Sequence, residues 1–232
     1  MNLRILTRDD LAAVAALHLA AFPRAAVSRL GGGAARRYYD SLMSGPYGTV
    51  GLGAFEQGRL SGFCFVGVRH IAETSYLRHH ALFLAWRIAT HPWLLAEAFI
   101  WSRIASGLQL LLRRSRPPAA AAPTERNSGR SYGIQYLAVD PSCQGRGVGR
   151  HLLEASEELA RQHGYEEIHL SVYLDNAKAI RLYERMGWLK ACENKIWRGL
   201  MSKRVAKAAL GSIHALPTQF VAGDRIREMT SG

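Results

Sequence analysis

The stretch QYLAVDPSCQGRGVGRHLLEAS, residues 135–156, decides the fold. The apolar run 134–139 is typical of a buried strand, and residues 148–163 carry apolar side chains at helical spacing. The loop 140–147 joins them, and glycines at 145, 147 and 149 remove Cβ atoms where a ligand must approach the main chain. The free N–H groups and positive end of the following helix favour an anion, so we expect a pyrophosphate to bind here.

Three interpretations compete for this loop, to which Arg146 and Arg150 could add positive charge. A Walker A loop would end in Gly-Lys-Ser/Thr, which is absent. A Rossmann loop needs an acidic residue after the next strand, and Asp175 stands at about that distance, so spacing leaves it open. The third interpretation is a glycine-rich turn without a ligand.

The residues that follow the loop match a known pattern. The order strand, Gln-x-x-Gly-x-Gly, helix, strand, then Asn176 and Tyr183 on one helix resembles the GNAT acetyltransferases. The segment YLDNAKAIRLYERMGWLK, residues 173–190, is similar to their ribosomal-protein N-terminal acetyltransferase branch. The resemblance covers 135–190 closely and 1–70 loosely. It implies an α/β fold with a mixed central sheet of six to seven strands flanked by helices.

The same resemblance assigns expected roles to individual residues. It implies that Leu137, Ala138 and Val139 lie on a bulged strand whose main chain pairs with the pantetheine arm of acetyl-CoA and polarises the thioester carbonyl. The N–H groups of the loop and first helical turn would hold the pyrophosphate; these residues are Gly145, Arg146, Gly147, Val148, Gly149 and Arg150. Asn176 would meet the co-substrate, and Tyr183 would protonate the departing thiolate as general acid.

One position departs from the closest branch. A glutamate on the strand before the last helix acts there as general base, and Ser171 occupies the matching position here. A serine does not take a proton from an ammonium at neutral pH without help. Other candidate bases are His169, Tyr173, Glu56 and His70, or a water relay. The departure weakens transfer of a peptide acceptor and leaves open a non-catalytic acyl-CoA sensor or scaffold.

Composition narrows the protein class. The 232 residues and 48% hydrophobic content suffice for one sizeable α/β domain. Thirty Lys and Arg against 18 Asp and Glu give a net charge of +12, which favours an anionic ligand or surface. Three widely spaced cysteines argue against a disulfide framework, and no Cys/His cluster predicts a metal. The first residues lack the features of a secretory signal, so we expect a cytoplasmic location.

The remaining chain divides as follows. Residues 1–200 are predicted as the acyltransferase domain, 71–130 as an insertion within it and 201–232 as a basic tail. The insertion is read as helices over 77–90 and 93–112, then a Pro/Ala-rich connector over 117–131. Elsewhere we predict strands over 3–6, 49–56, 60–69, 134–139, 167–173, 188–192 and 195–200, and helices over 11–22, 34–43, 148–163 and 176–186.

The insertion also bears on possible partners. Residues 76–116 combine aromatic side chains with flanking arginines, which suits an acceptor-site lid, added core, or an interfacial helix on an anionic membrane. The last alternative predicts a peripheral protein at the inner membrane surface that acetylates an envelope amino sugar. Arg36-Arg37-Tyr38-Tyr39 resembles nucleic-acid-binding composition, but a helix lining the acceptor cleft explains it equally. We expect a small-molecule or peptide amine as acceptor and no nucleic-acid partner.

Overall fold

The computed structural model describes residues 1–44, 49–68, 131–193 and 196–205. The predicted insertion 71–130, with its segment 76–116, lies outside the described residues. The same holds for His70 and for the tail from 206 onward. The strands are β1 (Asn2–Ile5), β2 (Val50–Glu56), β3 (Arg59–Val68), β4 (Ser131–Val139), β5 (Glu167–Ser171), β6 (Leu189–Glu193) and β7 (Ile196–Arg204). The helices are α1 (Leu11–Ala21), α2 (Ala26–Arg29), α3 (Gly32–Ser44), α4 (Val148–Gln162) and α5 (Ala177–Arg185).

Within the described residues, seven strands form one mixed sheet in the order β1-β2-β3-β4-β5-β7-β6. The pair of β4 and β5 is parallel, and the other neighbouring pairs are antiparallel. Helix α4 connects the parallel pair, as a crossover between parallel strands requires. The predicted mixed sheet of six to seven strands flanked by helices is confirmed.

The core lies in two layers, one on each face of the sheet. On one face, α1 and α3 cover an aromatic layer that includes Tyr39, Phe63 and Phe65. On the other face, the apolar side of α4 packs with Leu152 and Leu153 against β2, β3 and β4. Successive side chains of β4 point to opposite faces of the sheet, so adjacent residues of this strand contribute to different core layers.

Several element boundaries differ from the sequence prediction. Strand β4 begins at Ser131, which the prediction gave to the connector, because Ser131 already pairs with Glu167. Strand β5 ends at Ser171, two residues early. Strand β7 continues to Arg204, past the predicted domain boundary at 200, because its last residues pair with the start of β5. Helix α2 was not predicted; a single turn is too short to show a periodic pattern.

Candidate active site

Strands β4 and β5 separate halfway along β4. Their parallel register runs from the Ser131–Glu167 pair to the Ile134–Leu170 pair, while β4 continues to Val139. A bulge lies at the same place, because Phe65 opposes Tyr136 and Val66 opposes Ile134, which leaves Gln135 as the extra residue. The divergence leaves one main-chain edge of β4 over 135–139 without pairing to β5.

The hydrogen-bond pattern shows which groups occupy this edge. The N–H of Asp140 donates to the carbonyl of Ser61 at 2.8 Å, toward the β3 side. Because main-chain groups alternate in direction along an antiparallel strand, Ala138 also faces β3, whereas the N–H and C=O groups of Leu137 and Val139 face the opposite edge. These groups can bind an extended ligand in the opening between β4 and β5.

The loop after β4 turns sharply into α4. Asp140 begins the turn, where its carboxylate accepts hydrogen bonds from the Ser142 N–H at 2.8 Å and from the Ser142 hydroxyl at 2.6 Å. Gly145 and Gly147 have φ values of 84° and 85°, a left-handed conformation that L side chains rarely adopt. The glycines at these two positions are therefore required by the turn itself.

The start of α4 provides unpaired donors. Its first i to i−4 bond runs from the His151 N–H to the Gly147 carbonyl at 3.1 Å. The N–H groups of Val148, Gly149 and Arg150 precede that bond, so they can donate to an anion at the helix N-terminus. The predicted turn and helix start are present, and phosphate binding to them stays a prediction.

These elements line one groove of about 910 Å³ between α4, α5 and the free edge of β4. Most of the residues singled out from the sequence lie on its walls: Leu137, Ala138, Val139, Gly145, Gly147, Val148, Gly149, Arg150, Asn176 and Tyr183. The groove also has lining residues that the sequence did not reveal, including Phe22, Glu157, Lys178, Arg185 and Lys203. These residues come from the end of α1, from α4 and α5 and from β7, so their convergence depends on tertiary structure.

Arg146 is the predicted site residue that does not line the groove. Its guanidinium is exposed and lies 3.8 Å from the carboxylate of Glu56 at the end of β2. Gly145 and Gly147 on either side set the direction of the loop, which turns this side chain toward β2. Arg150 does line the groove, where its Nε donates to Glu154 one turn later at 2.8 Å.

Two side chains near the start of α5 connect it to the loop. The Oδ1 atom of Asn176 accepts a hydrogen bond from the Ala179 N–H at 3.1 Å, so Asn176 caps α5 as well as lining the groove. The ammonium group of Lys178 donates to the Gln144 side chain at 2.9 Å. A neutral amide does not cancel the lysine charge, which therefore remains available to a phosphate in the groove.

Tyr183 lies on the buried side of α5 and is 8% exposed. Burial raises its pKa from 10.0 to about 12, with a smaller contribution from the neighbouring Cys64 thiol. The phenol therefore stays protonated throughout the physiological range, as a proton donor must.

Ser171 is exposed at the end of β5, where its Cα pairs with Leu200 of β7. Of the other candidate bases, Tyr173 is 74% exposed and Glu56 lies beside Arg146. His169 is partly buried within β5, with Nε2 3.7 Å from the Glu167 carboxylate. Neither Ser171 nor these three residues lines the groove.

A family model described as Acetyltransferase (GNAT) family matches residues 33–188, more than half of the chain. The chain belongs to this family. The resemblance derived from the loop and from Asn176 and Tyr183 is thereby confirmed at the level of the family.

Similar proteins agree with this membership. The crystal structure of the ribosomal-protein-S18-alanine N-acetyltransferase from Escherichia coli has a TM-score of 0.52 at 17% identity, and the match covers 91% of this chain and 97% of that one. A putative acetyltransferase from Salmonella typhimurium, solved with acetyl-CoA, has a TM-score of 0.53 at 16% identity over 90% of this chain and 95% of that one. At such identities, these structures establish the common fold.

Other proteins match this chain at higher sequence identity but over a shorter segment. Mycothiol acetyltransferase from Jonesia denitrificans is 41% identical over 59 residues, which are 25% of this chain and 19% of that protein. The matched part of the chain thus spans about a fifth of the mycothiol acetyltransferases it resembles.

Two further features of the described residues concern metals and membranes. Among them, no group of three or more His, Cys, Asp and Glu side chains is arranged to hold a metal ion. Within the same part of the chain, no helix has the length and apolar character needed to cross a membrane.

Proposed function

We propose that this GNAT family member transfers the acetyl group of acetyl-CoA to a primary amine by direct attack, with Tyr183 as general acid. One observation carries the proposal: a single groove brings together the α4 N-terminus, the free edge of β4 and the Tyr183 side chain. The S. typhimurium fold relative was solved with acetyl-CoA. Acceptors for this chemistry are small-molecule or protein amines.

The N-terminal end of α4 is suited to the pyrophosphate of acetyl-CoA. The Val148, Gly149 and Arg150 N–H groups donate to it, and the helix dipole and the Lys178 charge favour its negative charge. A Cβ at Gly149 would lie 3.5 Å from side-chain atoms of Leu182 and Val139, so the first turn of α4 packs close to α5 and to the end of β4.

The free edge of β4 is suited to the pantetheine arm and the thioester. The main-chain groups of Leu137 and Val139 can pair with the amides of the arm, and an N–H on the same edge can donate to the carbonyl oxygen as it becomes negative. These donors are already fixed by β3 pairing on the other side of the strand, so little reorganisation is required.

Tyr183 supplies the proton that the leaving thiolate needs. A thiol has a reference pKa of about 8.5 and a phenol about 10, so in water the phenol would keep its proton. Burial raises the pKa of any acid whose charged form is an anion, including the departing thiolate in the same groove. Exclusion of water thus makes the leaving thiolate more basic, and the tyrosine can donate a hydrogen bond or a proton as charge develops on sulfur.

The amine must arrive as the neutral base, since Ser171 cannot remove a proton at neutral pH. The acetyl transfer then forms the C–N bond and breaks the C–S bond without a covalent enzyme intermediate; Tyr183 gives its proton to the sulfur, and the proton lost by the attacking nitrogen passes to solvent, from which the phenol is reprotonated. Holding the two reactants together supplies much of the rate increase.

The proposed activity is tested by an acceptor screen with acetyl-CoA. CoA release and the acetylated product are measured for polyamines, aminoglycosides, amino sugars, a peptide that begins with alanine and the acceptor of mycothiol acetyltransferases. Turnover on any amine supports the proposal. Binding of acetyl-CoA without turnover on the whole panel would contradict it and favour the acyl-CoA sensor. Sedimentation with anionic liposomes separately tests the membrane-surface alternative.

A further inference from the structure

The C-terminal end of α5 forms a turn that holds Tyr183 by its main chain. The N–H of Trp188 donates to the main-chain carbonyl of Tyr183 at 3.0 Å, and the N–H of Gly187 donates to the main-chain carbonyl of Glu184 at 3.0 Å. Gly187 has a φ of 82°, so the three features make a Schellman motif. Such motifs usually include an apolar contact between the residues at their two ends. Here the Tyr183 and Trp188 rings make it, with centroids 6.2 Å apart.

A buried carboxylate on another helix fixes Trp188. Glu157 of α4 is 6% exposed, and its Oε1 accepts a hydrogen bond from the Trp188 indole N–H at 3.1 Å. Its Oε2 accepts a second one from the Lys203 ammonium group of β7 at 2.7 Å. Both carboxylate oxygens thus bind donors from elements that follow α5 in the chain.

Burying a carboxylate lowers the stability of a fold unless both oxygens are paired. If only packing were required here, an apolar side chain would fill the space without this desolvation cost. The directional bond from the indole N–H to Oε1 instead specifies where the indole lies, and the bond from Lys203 to Oε2 holds the carboxylate in place. The indole ring in turn contacts the Tyr183 ring, and the Schellman bond holds the Tyr183 main chain. The position of the phenol therefore depends on Glu157, although Glu157 and Tyr183 belong to different helices.

We propose that Glu157 is a positioning residue for acetyl transfer, acting through Trp188 to hold the Tyr183 hydroxyl at the place of the leaving thiolate. This inference rests on the proposed role of Tyr183 as general acid. A small displacement of an acid from its acceptor lowers the rate of a positioned reaction steeply. Loss of the anchor should therefore lower kcat more than it weakens acetyl-CoA binding, because the phosphate loop lies at the other end of α4.

The test compares Trp188→Phe and Glu157→Gln in the full chain, first with Tyr183 present and then in a Tyr183→Phe background. Trp188→Phe retains an aromatic ring but removes the indole donor together with part of a fully buried ring, whereas Glu157→Gln keeps the side-chain shape and leaves one acceptor oxygen for two donors. The matched control is Glu158→Gln, which changes the adjacent glutamate of α4, where the partner is Arg161 and not Trp188. Steady-state kcat and KM for acetyl-CoA are measured for each protein.

We expect each variant to lower kcat about 10-fold with KM changed less than about 2-fold. The control should retain the parent kcat. In the Tyr183→Phe background, Trp188→Phe should lower kcat less than about 2-fold further, because the hydroxyl that it positions is already absent.

Equal losses in both backgrounds would show a structural role and overturn the inference, as would an unchanged kcat in Trp188→Phe. Failure of the proposed function has a different signature, namely full turnover in Tyr183→Phe alone.

Discussion

Ile134 pairs with Leu170 in the last register position of the parallel ladder between β4 and β5. Beyond this pair the two strands diverge, and the Leu137 and Val139 main chain faces the groove that also contains Tyr183. The bulge at Gln135 lies next to the point of divergence. Under the proposed function, the position of this strand pair determines where acetyl-CoA and the acceptor meet.

Gly147→Ala should weaken acetyl-CoA binding. At a φ of 85°, an alanine costs about 1 to 2 kcal/mol, and relief of that strain would turn the α4 N–H groups away from the phosphates. We expect KM for acetyl-CoA to rise about 10-fold while kcat at saturation changes little. Gly58→Ala is the matched control, because Gly58 has a φ of 78° in open space at the β2–β3 hairpin. An unchanged KM in Gly147→Ala would contradict the phosphate-loop assignment.

The pH dependence of turnover should be set by the pKa of the acceptor amine rather than by the pKa of a group on the protein. If the amine must enter neutral, log(kcat/KM) rises with pH at a slope of about one until the pKa of that amine, roughly 8 for an α-amino group and above 10 for a lysine-like amine. The measurement compares two acceptors of different pKa. A limb fixed near pH 6 to 7 for both acceptors would instead reveal a base on the protein.

Gly199→Ala should destabilise the fold. Gly199 of β7 has a φ of 89°, and a Cβ there would lie 2.2 Å from the carbonyl oxygen of Val172. Left-handed strain and the clash together should lower the free energy of unfolding by about 2 to 4 kcal/mol, measured by urea denaturation. Gly164→Ala has a similar φ of 74° in open space, so it isolates the strain alone. Equal losses in both variants would show that the contact with Val172 is unimportant.

His18 should make stability depend on pH. It is 1% exposed, its Nδ1 lies 2.6 Å from the Tyr39 hydroxyl, and burial lowers its pKa from 6.5 to about 4. Between these values the unfolded chain binds a proton that the folded chain excludes, so stability falls as pH falls. From pH 7 to 5 this residue should cost about 2 kcal/mol.

The check on His18 is urea denaturation at both pH values. In His18→Gln the loss of stability between pH 7 and 5 should be smaller by about that amount, because the titrating group is gone. An unchanged pH dependence in the variant would contradict the assignment.

The glycine turn and the helix after β4 could be predicted because their requirements are local. The turn requires a left-handed φ at Gly145 and Gly147, which glycine adopts readily, and the apolar spacing of the following residues predicts a helix. Asn176 and Tyr183 followed at a recognisable distance on one helix. The mixed sheet was implied by the resemblance to the GNAT acetyltransferases, and the strand–helix–strand order around α4 agrees with the parallel pair of β4 and β5.

Other parts of the site could not be predicted, because they depend on contacts between distant segments. Arg146 lies near Glu56 because of the path of the loop. The glycines permit this path, but their presence in the sequence does not predict it. Glu157, Trp188 and Lys203 look like ordinary surface or core residues until α4, α5 and β7 come together. The end of β5 at Ser171 depends on where β4 diverges.

The most direct test of the account is the steady-state rate of Tyr183→Phe with acetyl-CoA and the best acceptor from the screen. Removing the phenolic hydroxyl while keeping the buried ring should lower kcat about 100-fold and leave KM for acetyl-CoA within about 2-fold. Turnover equal to that of the parent protein would contradict the assignment of Tyr183 as the general acid.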